Sequence, residues 1–100
     1  MYTLLRTDEF DEWLRNLKDP VGKSRILARM DAAGLGNFGD SEPVGDGISE
    51  MRIHVGPGYR IYYSRTGTVI YLLLCGGNKS TQKKDIKLAK AILRSLEDEK

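Results

Sequence analysis

Apolar residues recur at helical spacing soon after the start of the chain, which predicts a first amphipathic helix. Thr7 is a typical N-cap, and the acidic residues that follow it suit the positive end of a helix dipole. The apolar positions follow the spacing i, i+3, i+4, i+7 and are Phe10, Trp13, Leu14 and Leu17. We expect this face, Trp13 included, to pack on the core.

Two later stretches show the same periodicity. Asp19-Pro20 is typical of an N-cap followed by proline at the first helical position, and Gly34 is typical of a helix end. The apolar stripe of this second helix consists of Ile26, Leu27, Met30 and Ala33. A third helix is expected to begin at Ser80 or Thr81. Its apolar side consists of Ile86, Ala89, Ile92, Leu93 and Leu96.

Strand patterns lie before and between these helices. Met1 to Leu5 predicts a short strand, residues 50–55 and 59–64 alternate in polarity, and Val69 to Cys75 is apolar on both faces. Residues 35–47 are rich in glycine and contain a proline, so we predict mostly loop there. The predicted order is β-α-α-β-β-β-α, which is α+β. We expect one domain over residues 1–100, a small antiparallel sheet with the helices packed on one face.

The register of the central hairpin follows from its polarity pattern. If Gly56-Pro57-Gly58 is a three-residue loop, Val55 faces Tyr59 and all the paired apolar residues share one face. The other face then carries Glu50, Arg52, His54, Arg60, Tyr62 and Ser64. A two-residue turn at Thr66-Gly67 would add Tyr71 and Leu73 to that second face.

Composition excludes several classes of protein. The longest apolar run, Val69 to Cys75, is far shorter than the roughly 20 residues of a membrane-spanning helix. One cysteine and one histidine cannot form an internal disulfide or a structural zinc site of four such ligands. The N-terminus lacks the long apolar stretch of a signal peptide. We therefore expect a cytoplasmic protein with no membrane association, no metal and no cofactor.

Charge is distributed unevenly between the two halves of the chain. Residues 1–50 contain six basic and ten acidic residues, whereas residues 51–100 contain ten basic and four acidic residues. The net charges are therefore −4 and +6. A concentrated basic region favours a polyanion or an acidic protein surface as partner, although a solvated helix face gives the same pattern.

The residues of the second sheet face are suited to RNA cleavage. Arg52 and Arg60 can bind phosphate oxygens through planar guanidinium groups, which stabilises charge on a phosphorane. His54 has an unperturbed pKa near neutrality, and Tyr62 and Lys79 are further candidate proton carriers or electrostatic partners. The alternative is an ordinary charged and aromatic sheet surface.

The chain resembles toxins of the RelE/ParE superfamily, in the HigB-like branch of addiction-module killer proteins. The matching stretches cover nearly the whole chain in order. They are Phe10-x-x-Trp13-Leu14-x-x-Leu17, Gly36-Asn37-Phe38-Gly39-Asp40, Val44-Gly45-x-Gly47-Ile48-x-Glu50-Met51-Arg52-Ile53, Gly56-Pro57-Gly58-Tyr59-Arg60-Ile61-Tyr62-Tyr63, Leu72-Leu73-Leu74-x-Gly76-Gly77-Asn78-Lys79-Ser80-x-Gln82, and Asp85-Ile86 with Ala89. The resemblance implies a RelE-like microbial ribonuclease fold.

The resemblance also implies an activity. Such toxins of type II toxin–antitoxin modules are mostly ribosome-dependent mRNA endoribonucleases, which use 2′-hydroxyl attack without a metal and arrest translation and growth. Arg60 would then support the phosphate, and Arg52 and Lys79, the latter after a Gly-Gly turn, would be the other basic positions. The branch places no catalytic histidine at His54, so we expect the arginines to matter more.

Two implications concern partners and alternatives. RNA contacts are expected along the basic stretch that opens the third helix, at Gln82, Lys83, Lys84 and Lys87. The partners implied are the ribosome with its mRNA and a neutralising antitoxin, in this branch a small helix-turn-helix protein. The ParE branch instead poisons gyrase, so a gyrase inhibitor or a catalytically inactive antitoxin-binding module are the alternatives.

Overall fold

The computed structural model describes residues 1–99 and has an α+β architecture with three α-helices and a five-stranded sheet. In chain order the elements are β1 (Thr3–Arg6), α1 (Asp8–Asn16), α2 (Pro20–Gly34), β2 (Ser41–Gly45), β3 (Ile48–Ile53), β4 (Tyr59–Arg65), β5 (Ile70–Asn78), a 3-10 turn (Lys79–Thr81) and α3 (Gln82–Asp98). No helix within residues 1–99 combines the length and the apolar character needed to cross a membrane.

The sheet contains one strand more than the sequence predicts. β2 lies in the region expected to be loop, and it pairs only with β3 at an edge of the sheet. An edge strand tolerates Pro43 because one side of its backbone needs no ladder hydrogen bonds. The predicted element order was therefore wrong by this strand.

The sheet is mixed, not antiparallel as predicted. Its strand order is β1-β5-β4-β3-β2, and β1 runs parallel to β5 while the other neighbours are antiparallel. The long connection through α1 and α2 allows the chain to leave β1 and return on the other side of the sheet.

Helices cover both faces of the sheet, which corrects the expectation that they pack on one face. α1 and α2 cover one face, where the fully buried residues include Phe10 and Ile26. α3 covers the other face through Ala89 and Ile92. The face that carries Glu50 and the arginines is therefore not a solvated surface, because the start of α3 lies over it.

The helix ends are as predicted. The Thr7 hydroxyl accepts a hydrogen bond from the Phe10 amide, and the Asp19 carboxylate accepts one from the Gly22 amide. α2 ends at Gly34, and Thr81 is the residue before α3. Leu27 does not belong to the buried stripe of α2, since it is 43% exposed.

The register of the β3–β4 hairpin differs from the predicted one by two residues. Ile53 pairs with Tyr59, so the connecting loop has five residues, 54–58, not three. An even shift keeps every side chain on its face, and the predicted sharing of faces holds within the strands. Tyr71 and Leu73 were placed on the wrong face. The β4–β5 loop is longer than two residues, and an irregularity between Tyr62 and Tyr63 changes the register.

Cys75 lies in the interior beneath α3. The residue is 2% exposed, its thiol donates to the Asp85 carbonyl, and burial raises the thiol pKa to about 12. A thiol in this state is inert as a nucleophile at neutral pH.

Candidate functional site

Glu50 is the centre of a group of polar side chains between the sheet and the start of α3. The residue is fully buried, and its carboxylate accepts four side-chain hydrogen bonds. Arg60 Nη1 and Arg52 Nε reach Oε1 at 2.5 and 2.9 Å. Gln82 Nε2 and the Tyr62 hydroxyl reach Oε2 at 2.8 and 3.2 Å. We call these five residues the ion cluster.

Glu50 is ionised at neutral pH despite its burial. Burial pushes its pKa up, but the hydrogen bonds from Gln82 and Arg52 and the charge of Arg60 outweigh that effect and hold the pKa below the ordinary glutamate value. Both carboxylate oxygens are occupied by donors. Glu50 is therefore an anchor for the cations and not a free base.

The two arginines face each other across the β3–β4 pair, where Arg52 and Arg60 are direct partners in the register. The Arg60 side chain is only 12% exposed, and its Nε is buried without a hydrogen-bond partner. Arg52 is 27% exposed and binds Glu42 at 2.6 Å as well as Glu50, with Asp40 at 3.9 Å. Its hydrogen bonds to Glu50 and Glu42 raise its pKa further.

Tyr62 supports the carboxylate from below. The residue is fully buried, and burial together with the charge of Glu50 raises the pKa of its phenol. The phenol is therefore protonated at neutral pH and donates to Glu50. Its predicted catalytic role stays a prediction, although a buried hydroxyl is placed to hold Glu50 and not to touch a substrate.

His54 lies outside the ion cluster. It follows the last residue of β3, its side chain is 72% exposed, and its Nε2 lies 2.6 Å from Asp40 Oδ2. This hydrogen bond is the main reason that the pKa of Asp40 lies below the ordinary value. His54 therefore reaches Arg52 only through Asp40, which lies near both.

Arg29 of α2 fixes the segment that carries Asp40. Its guanidinium donates to the carbonyl of Arg52 at 2.6 Å and to that of Phe38 at 2.9 Å. Gly39, with a φ of +62°, leaves room for this guanidinium, which a Cβ there would strike. α2 thereby ties the loop before β2 to the end of β3.

Gly76 and Gly77 lie within β5 and do not form a turn, as the resemblance had implied. A side chain on Gly76 would strike the ring of Trp13, and one on Gly77 would strike the carboxylate of Asp85. Both faces of the strand are thus closely approached, one from α1 and the other from α3. Gly77 is also the β5 partner of Arg60, so the absent side chain allows α3 to approach this arginine.

Lys79 is brought to the edge of the same region. It follows β5 in the exposed 3-10 turn, two residues after Gly77, the partner of Arg60. A Cβ on Gly58 would lie 3.5 Å from Lys79 Cβ, which places the lysine beside the β3–β4 loop.

The predicted RNA-contact residues divide into two groups. Gln82 is partly buried and its amide binds Glu50, whereas the lysines predicted on α3 are exposed and are Lys83, Lys84 and Lys87. Sequence reasoning missed Glu50 and Arg29 as site residues. Their only signal was the position of Glu50 on the face of the arginines. Within residues 1–99, no three His, Cys, Asp or Glu side chains are grouped to hold a metal ion.

Comparison with known proteins places the chain in a family. No family model matches it. It is 51% identical, over 87 residues, to an uncharacterized protein of Haemophilus influenzae, and the match covers 87% of this chain and 88% of that protein. At that identity and coverage, the chain belongs to the same family as the H. influenzae protein.

Proposed function

We propose that the chain is the toxin of a type II toxin–antitoxin module, of the RelE/ParE superfamily and its HigB-like branch. Its activity would be a ribosome-dependent endoribonuclease that cleaves mRNA without a metal. The observation that carries the proposal is the pair of opposed guanidinium groups, Arg52 and Arg60, both held by the buried carboxylate of Glu50.

Fixed guanidinium groups are suited to the charge that develops during RNA cleavage. The 2′-oxygen attacks phosphorus, the bond to the 5′-oxygen breaks, and the products are a 2′,3′-cyclic phosphate and a 5′-hydroxyl. The phosphorane between these states carries more negative charge than the diester, and donors that are already oriented stabilise it without reorganising. Glu50 orients Arg60 and Arg52 in advance, at distances typical of charge-assisted hydrogen bonds.

The proton transfers need groups at the surface of the site. The 2′-hydroxyl must lose a proton and the leaving 5′-oxygen must gain one. Lys79 and His54 are the exposed candidates beside the cluster. Water completes the exchange where no side chain reaches the reacting atoms.

The exposed lysines of α3 would contact the RNA backbone outside the reacting phosphate. Lys83, Lys84 and Lys87 continue the basic surface from Lys79 along the helix. The proposal therefore names the ribosome with its mRNA as target, in the cytoplasm. It also names a neutralising antitoxin, a small helix-turn-helix protein, as partner.

Cleavage by the Arg60→Ala chain tests the proposal. On ribosomes programmed with one mRNA, single-turnover cleavage should fall by about 10²–10³-fold, the usual cost of losing one preorganised transition-state donor. Arg60→Lys should restore little of it, because an ammonium keeps the charge but lacks the planar fork. Arg65→Ala is the matched control on the same strand, since the Arg65 guanidinium binds loop carbonyls of Gly67 and Thr68.

Induced expression separates this function from its alternatives. Growth arrest with cut, translated mRNA supports the endoribonuclease. Arrest with intact mRNA and damaged DNA would instead indicate a ParE-like gyrase inhibitor, and unimpaired growth would indicate an inactive antitoxin-binding module. Near wild-type cleavage by a folded Arg60→Ala chain would remove Arg60 from the site.

A further inference from the structure

A groove lies at the end of α3 that is remote from the ion cluster. Its volume is about 560 Å³, and it runs between β1, the start of α1 and the last turns of α3. Its apolar lining consists of Leu5, Leu72, Ile92 and Leu96. The last three belong to the hydrophobic cluster beneath α3, and Leu5 is 49% exposed. The core of this face therefore continues to the surface in the groove.

The backbone beside the groove is open on one side. β1 is the outermost strand, and the amides of Thr3 and Thr7 point inward to the carbonyls of Val69 and Leu73. Because amides alternate in direction along a strand, those of Leu4 and Arg6 point away from the sheet. No strand in residues 1–99 pairs with that edge, which can accept an added strand.

The charge around the groove is negative. Asp8 and Glu9 line it from α1, and Glu99 lines it from the end of α3. Arg6 also lines it, but its guanidinium is bound to Asp11 at 3.0 Å. A nucleic acid or the same surface of a second copy would bring like charge to this rim, which costs free energy.

We propose that this groove binds an extended segment of another protein, in which apolar side chains alternate with lysine or arginine. The segment adds a strand to β1 through the outward amides of Leu4 and Arg6. Its apolar side chains cover Leu5 and the groove floor, and its cations approach the acidic rim. The proposal is independent of the ribonuclease activity, because it uses none of the ion cluster.

A peptide selection on the full chain tests the inference, and it works for a partner of any identity. The probe is a phage-displayed library of random peptides, and enriched peptides are then synthesised and their affinities measured. We expect alternating apolar and basic residues. Leu5→Glu and Ser95→Arg should each weaken binding by about tenfold or more, the first by removing apolar contact and the second by repulsion. Leu88→Glu is the matched control, since Leu88 is an exposed α3 leucine outside the groove.

Hydrogen exchange gives a second readout that a merely sticky surface would not produce. Bound peptide should slow exchange at the amides of Leu4 and Arg6, because these become donors in the new ladder. The proposal is overturned by enriched peptides that are acidic, by equal binding to Leu5→Glu, or by the absence of any enriched peptide. Concentration-dependent dimerisation that Leu5→Glu abolishes would also overturn it, in favour of a second copy as occupant.

Discussion

The two ends of α3 carry their charges in opposite ways. At its start, Gln82 meets the buried Glu50 and two arginines, and the charges there are bound to one another. At its end, about 25 Å away for a helix of 17 residues, Leu96 lines an apolar groove and Glu99 stands at its rim. One end is organised within the chain, and the other offers exposed apolar surface with an acidic border.

This difference separates two uses of charge. A buried and fully hydrogen-bonded carboxylate fixes the direction of its cations, so the ion cluster has its geometry before any ligand arrives. Exposed acids contribute little to stability, but they select the charge of whatever approaches. We therefore expect substitutions at the start of α3 to change folding and chemistry, and substitutions at its end to change binding alone.

The largest effect is expected from Glu50→Ala. It leaves Arg60 and the Tyr62 phenol buried without their partner, and unfolding free energy should fall by about 3–5 kcal/mol, the usual cost of orphaning a buried charge. Urea denaturation measures it. Glu42→Ala is the matched control, because Glu42 binds the same Arg52 but is exposed, and its stability should stay near wild type. Equal stabilities for the two variants would contradict the comparison.

Acid should act on the same carboxylate. The folded-state pKa of Glu50 lies below the ordinary value of 4.5, so the folded chain binds fewer protons than the unfolded chain. The stability from Glu50 is therefore full above about 4.5 and is lost as pH falls through the lowered pKa. Asp19 and Asp40 have pKa values lowered in the same direction.

Glu50→Gln isolates this contribution. Its unfolding free energy, measured by urea at successive pH values, should decline less steeply on the acid side than that of the wild-type chain. The remaining decline reports on Asp19 and Asp40. Parallel curves for the two chains would show that Glu50 is not ionised in the folded state.

Much of the fold was predictable because its signals are local. Thr7 and Asp19 cap their helices through residues three positions later, and apolar spacing marks the buried faces. β2 was missed because Pro43 and its neighbouring glycines resemble a loop, and its strand conformation depends on pairing with β3. Tyr71 was placed on the wrong face because a single register irregularity reverses alternation.

The candidate site was predictable only in part. Alternation put Glu50 on the face of Arg52 and Arg60, but it could not reveal that α3 buries that face. The bond from Gln82 to Glu50 joins residues 32 positions apart, and no local pattern encodes it. The same applies to Arg29, which acts on β3 from another helix.

A smaller effect is expected from the exposed lysines beside the ion cluster. If Lys83 and Lys84 contact RNA phosphates, replacing both with alanine should lower the slope of ribosome affinity against salt by roughly one unit for each lost contact. Lys18→Ala with Arg25→Ala removes the same charge elsewhere and serves as the control. An unchanged slope in the first variant would assign Lys83 and Lys84 to a solvated helix face.

The smallest effect is expected from His54→Ala, which tests whether an exposed pair near the ion cluster shares its importance. His54 is 72% exposed and contacts Asp40, while Arg52 keeps its bonds to Glu50 and Glu42 without it. The resemblance also places no catalytic histidine there, so growth arrest should persist and the pH profile of cleavage should change little. His54 is the only histidine in the chain, so any step near its pKa is attributable to it. Loss of cleavage by a folded His54→Ala chain would make His54 the acid or base of the reaction, and the exposed pair would then belong to the functional end of α3.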